Sequence, residues 1–152
     1  MRITVTGISP EPFLPLYGLS EQLAAKRARR IVADGPGYPE RIELRDAAPG
    51  ETLLLVNYEH QPAETPFKAS HAIYIREGAI QAASVTGLPP VLRRRLLSLR
   101  GFSADGMLVD ADVADGEGAE PVIERLFANH AIDYIHAHAA RPGCYLARLD
   151  RA

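Results

Sequence analysis

Hydrophobic and polar positions change rhythm several times along the chain. Ile3 to Ile8 alternates β-branched residues with Thr and reads as a first strand. Ser9-Pro10-Glu11-Pro12-Phe13-Leu14-Pro15 follows, and its three prolines exclude helix and sheet interior, which predicts an extended loop. Ser20 is a good N-cap. After it, Leu23, Ala24, Ala28, Ile31 and Val32 recur at helical spacing, with Lys26, Arg27, Arg29 and Arg30 on the remaining surface. This spacing predicts one helix from Ser20 to the Asp34-Gly35 stop.

The pattern then shortens to strands closed by glycine turns. Arg41 to Asp46 and Thr52 to Tyr58 flank Pro49-Gly50, and Ala69 to Arg76 and Ala79 to Val85 flank Glu77-Gly78. Leu97 to Phe102 and Met107 to Val113 flank Ala104-Asp105-Gly106, and Ile132 to Ala139 and Cys144 to Leu149 flank Arg141-Pro142-Gly143. Each pair reads as an antiparallel hairpin. Two further helices are predicted, a short one over Pro89 to Leu96 and a clearer one over Glu120 to Asn129. The second carries Val122, Ile123, Leu126 and Phe127 as an apolar stripe. The expected fold class is α+β: a single domain over 1–152, mostly antiparallel sheet built from hairpins, with two or three packed helices.

Composition narrows the function classes. The 12 glycines and 12 prolines argue against a helical bundle. A net charge of −2 excludes a bulk polyanion binder, so no nucleic-acid partner is expected. No apolar run is long enough to span a bilayer, and Met1-Arg2-Ile3-Thr4-Val5 shows no charged leader before an apolar core. Cys144 is the sole cysteine, which excludes an internal disulfide. These features together predict a cytoplasmic protein without membrane attachment.

The candidate chemistry lies in histidines. His136 and His138 sit in Tyr134-Ile135-His136-Ala137-His138, so on a strand they share a face, about 7 Å apart. The small apolar face, Ile135, Ala137 and Ala139, reads as the core side. Two imidazoles on one strand face begin a divalent-metal site, zinc being an example, if a neighbouring strand supplies a third ligand. His60 is the expected third ligand, with Glu59 and His71 as other sources; a partly exposed polar face is the bland alternative. His71, on a face with Ile73 and Ile75, reads better as a hydrogen-bonded core histidine.

Glu59 and His60 end a strand at Gln61-Pro62, where either is a candidate general base or a loop anchor. Tyr58 beside them is a candidate ligand contact. Cys144 is a candidate nucleophile only if it reaches the histidine face. A two-residue loop, Pro142-Gly143, turns it away, and a three-residue loop brings it in; a buried apolar role is the alternative. Arg76 and Arg100, at strand positions, are candidates to grip a small anionic molecule. Arg93-Arg94-Arg95 and Lys26-Arg27 read as solvated helix faces. Asp110-Ala111-Asp112 misses calcium-loop spacing and reads as an acidic edge. No GxGxxG, P-loop or GxSxG occurs, so no nucleotide cofactor is indicated.

Several runs together resemble a known bacterial family. They are Leu55-Val56-Asn57-Tyr58-Glu59-His60-Gln61-Pro62, Ser70-His71-Ala72-Ile73-Tyr74-Ile75-Arg76-Glu77, Leu97-Ser98-Leu99-Arg100, Met107 to Val113, and His136 to Arg148. The chain resembles domain of unknown function 1203 over nearly its whole length. That family often has Asn after the second histidine, where this chain has Ala139. The resemblance implies a single-domain chain of this length and carries no activity or cofactor.

Three expectations follow. The leading one is a small-molecule enzyme or binding protein whose pocket uses Glu59, His60, His136 and His138, with Arg76 or Arg100 on an anionic group. The second is a divalent-metal site of His60, His136 and His138. The third is a non-catalytic protein-interaction module.

Overall fold

A computed structural model describes residues 1–152 except the side chain of Gln22. In chain order its elements are β1 (Ile3–Thr6), α1 (Ser20–Ala25), β2 (Arg29–Val32), β3 (Pro39–Glu40), β4 (Arg45–Asp46), β5 (Thr52–Gln61) and β6 (Ala69–Arg76). They continue with β7 (Ser84–Thr86), α2 (Pro90–Arg93), β8 (Leu96–Phe102), β9 (Leu108–Asp115), α3 (Glu120–Ala128), β10 (Tyr134–Ala139) and β11 (Tyr145–Arg151). The fold is α+β with a sheet-dominated core. No helix is long and apolar enough to cross a membrane among the described residues.

The strands form two sheets. The first, in the order β7-β1-β11-β10-β8-β9, is antiparallel throughout. The second, β2-β5-β6-β3-β4, has one parallel pairing, β3 with β6. Alternation along the first sheet sorts its side chains. Leu97 and Leu99 of β8 and Ile135, Ala137 and Ala139 of β10 point one way, to a core shared with Ile123, Leu126 and Phe127 of α3. A second core lies between the sheets, joining Leu54 and Val56 of β5, Ile73 and Ile75 of β6, and Tyr145 of β11. The histidines of β10 therefore point toward the second sheet, away from the helix.

The β8–β9 and β10–β11 hairpins form as the pattern predicts. Two others do not. Arg41 to Asp46 does not pair with Thr52 to Tyr58; β4 returns on β3, and β5 pairs with β2 and β6. The segment after Glu77-Gly78 leaves the second sheet, and β7 pairs with β1 in the first. The helix expected from Ser20 stops at Ala25. Arg27 adopts φ 55°, a left-handed conformation that breaks the helix, and the β-branched Ile31 and Val32 pair with Leu53 and Thr52. The helix expected over Pro89 to Leu96 is one turn, because Leu96 already belongs to β8.

Candidate functional site

Three histidines meet between the sheets. His136 and His138 project from β10, the fourth strand of the first sheet, and are 4% and 1% exposed. His60 comes from β5 of the second sheet. Pairing of β5 with β6 slips between Glu59 and Gln61, leaving His60 as the extra residue of a β-bulge. Such a bulge bends the strand and re-aims its side chain. Gln61 then turns inward and its amide donates to the Tyr134 hydroxyl across the sheets at 2.9 Å. The ring of Tyr145 fixes the triad from one side. It lies nearly parallel to His60, 5.4 Å between centroids and 6° between planes, and edge-on to His136 and His138.

The triad offers one nitrogen from each ring, all within 4.8 Å of one another. His138 Nδ1–H donates to the Gly143 carbonyl at 2.9 Å, which leaves Nε2 as its lone-pair nitrogen. That Nε2, with Nδ1 of His60 and Nδ1 of His136, is buried without a hydrogen-bond partner. Burial lowers the pKa of all three, to about 4 for His60 and about 3 for His136 and His138. Arg100 adds to each depression. All three rings are therefore neutral at pH 7. Buried polar atoms normally find partners, and an orphan left unmade costs about 1–3 kcal/mol. Each ring thus carries one buried nitrogen without a partner, and each offers a nitrogen to a cluster no wider than 4.8 Å, an arrangement that suits an external electrophile.

A cavity of about 530 Å³ opens onto two of the three rings, His60 and His136, and is lined also by Tyr58, Tyr134, Tyr145 and Arg148; His138 lies behind its wall. Arg148 is held by Asp150 and stacks its guanidinium on the Tyr134 ring at 4.0 Å. Arg100 is opposite His136 on β8, so both side chains share a face. Its Nε donates to Ser98 Oγ at 3.2 Å, and it has no carboxylate partner among the described residues. Partial burial lowers its pKa.

The remaining sequence candidates separate from this site. Glu59 is exposed and alternates away from His60's cavity. Arg76 is bound by Glu43. His71 lies on the inward face beside Tyr58, its Nδ1 on the Ala72 carbonyl at 3.1 Å, outside the triad. Cys144 misses the histidine face because the hairpin loop is neither two nor three residues long. Ala139 and Cys144 close a four-residue loop, Ala140 to Gly143, and Tyr145 takes the place opposite His138. Cys144 instead packs at the helix-side core, with Arg41 Nη2 donating to its sulfur at 3.2 Å. Tyr145, Gln61, Arg148 and Gly143 escape sequence reasoning. Tyr145 reaches the triad only through the register shift of β11, which no local pattern announces.

The site thus defines a two-sheet α+β protein with a three-histidine cluster seated between its sheets. The sequence model of the family described as "Protein of unknown function (DUF1203)" matches residues 37–151, and the chain belongs to that family. The match contains all three histidines. No curated protein and no solved structure matches the chain.

Proposed function

We propose that the protein is a metalloprotein whose His60, His136 and His138 hold one divalent first-row transition ion and present it to a small anionic molecule. The approach of one nitrogen from each of three neutral imidazoles to within 4.8 Å carries this reading, and each of the three rings also holds a buried nitrogen without a partner. Imidazole suits zinc, iron, copper and nickel. Bonds of about 2.0–2.1 Å to one zinc would require the nitrogens, now up to 4.8 Å apart, to close to about 3.3 Å. The Gly143 carbonyl plays the part that a backbone acceptor commonly plays behind a metal-bound histidine, fixing tautomer and ring plane. Three protein ligands leave a position for water or substrate, where such an ion supplies Lewis acidity. Arg100, a cation without a carboxylate, favours an anion there.

Metal-free acid–base catalysis by the same rings is the weaker reading. A general base works best with its pKa near the working pH, and these histidines sit near 3 to 4. The test is metal analysis by mass spectrometry on protein purified without a histidine tag. We expect about one ion per chain, lost in His136→Ala and His138→Ala. A protein that carries no transition metal, and takes up no zinc, iron(II), cobalt, nickel or copper on reconstitution, overturns the proposal.

A further inference from the structure

A second cavity, of about 630 Å³, shares no lining residue with the one over the triad. Four arginines reach it: Arg41, Arg94, Arg95 and Arg141. Arg94 and Arg95 are partly neutralised by Asp46, and Asp115 is the one acidic residue on the wall. Arg41 differs from the rest. It is 1% exposed, and its hydrogen bonds go to the carbonyls of Tyr145 and Pro39 and to Cys144 Sγ. None of these acceptors is a carboxylate. Arg141 lies at the loop of the β10–β11 hairpin, and among the described residues it too has no carboxylate partner.

A guanidinium stays charged in proteins. Burying one with no carboxylate bonded to it is costly, since the neighbouring Glu40 carboxylate is taken up by the Ile42, Glu43 and Arg76 amides, and a fixed cation of this kind is relieved by an anion beside it. The walls also carry Leu55, Leu96 and Pro142, which suit apolar atoms. The volume falls within the usual range for small-molecule sites, about 300–1,000 Å³. We propose that this cavity binds a small organic anion, with Arg41 and Arg141 holding its carboxylate or phosphate group and the apolar wall holding a short carbon body. The site is independent of the metal centre, although the loop that carries Arg141 also supplies the Gly143 carbonyl behind His138.

Chelator-treated full-length protein is titrated with succinate, phosphate and the neutral analogue succinamide, followed by amide NMR and calorimetry. Succinate or phosphate should saturate, moving the amides of Arg41 and of the 139–144 segment, while succinamide fails. Whichever anion binds more tightly tells carboxylate from phosphate ligands. Arg141→Gln sits on an exposed loop and should fold normally, yet weaken binding at least about tenfold, the loss of a charge-assisted contact. Cys144 gives a second readout, since it is the sole cysteine and lines the same cavity. The bound anion should slow its alkylation by iodoacetamide. Absence of saturable binding by either anion up to about 10 mM, a range that captures even millimolar affinity, overturns the proposal. So does unchanged affinity in Arg141→Gln, or equal binding of succinamide.

Discussion

His136 sits on a central strand, 4% exposed, with a nitrogen that meets no donor or acceptor. Its electrostatics make acid the enemy of the fold. Free histidine titrates near 6.5. In the folded chain His60 is held at about 4, and His136 and His138 at about 3, chiefly by burial. Between those values and 6.5 the unfolded chain binds more protons than the native one, so stability rises with pH there. The contribution is complete above about pH 7 and is lost progressively on acidification. Metal-free protein should show a urea midpoint at pH 5 clearly below that at pH 7.5. His60→Gln combined with His136→Gln and His138→Gln should flatten the difference. Equal midpoints for the unaltered chain at the two pH values would show that the rings titrate normally. Much of this site was legible residue by residue. The His-x-His spacing on a strand places two rings on one face, and the structure brings His60 of a strand in the other sheet to within reach of them. Glu59 and Cys144 fall on other faces, through strand alternation and through the length of the hairpin loop, and a strand position gives Arg76 a face but not its partner. Glu43 had already claimed Arg76, and Arg41 sits on Cys144.

Elements place these residues through turns and close approaches. β9 hands over to a 3₁₀ turn, Gly116–Gly118, that packs against the end of α2. Gly116 N–H donates to the Arg95 carbonyl at 2.8 Å, and a Cβ at Gly116 would meet the Leu92 carbonyl oxygen at 2.1 Å and that of Arg93 at 2.6 Å. Backbone oxygens do not swing aside as side chains do. Gly116→Ala should therefore cost roughly 1–3 kcal/mol, as overpacking does. Gly118, two residues on, has open space around its Cβ position. Gly118→Ala should stay within about 0.5 kcal/mol, the usual range for a surface change. Urea unfolding of both variants checks this, and equal midpoints would contradict the close approach. Element type was readable where periodicity ran without interruption, as in α3 and the β8–β9 pair. It failed over Ser20 to Val32. There helical spacing continued in the sequence, but the left-handed Arg27 and the pairing of Ile31 with Leu53 decided otherwise. Tertiary pairing overrode local pattern.

At the scale of the molecule, the two sheets were not legible at all. Turn signals say where a strand ends and nothing about which sheet receives the next one, as the transfer of β7 to the first sheet illustrates. That partition is what makes the triad consequential, because His60 belongs to one sheet and His136 and His138 to the other. Polar links that already cross the gap include Gln61 to Tyr134, Arg41 to the Tyr145 carbonyl and the Cys144 sulfur, and Arg95 to Asp46. An ion held by all three histidines would join the sheets directly. It would bind the native state and not the dispersed ligands of the unfolded chain. At a free concentration one hundred times its dissociation constant, such an ion stabilises by about 2.7 kcal/mol. For a chain of this size that is a rise in thermal midpoint of about 5–10 °C. The rise should vanish in His60→Gln, which removes the second sheet's one histidine ligand, and in His136→Gln, which leaves only two imidazoles. Hydrogen exchange should locate the effect, with protection increasing in β5 and in β10–β11 together. An ion that slows exchange in β10–β11 alone, or stabilises His60→Gln equally, would be bound by the His136/His138 strand without bridging the sheets.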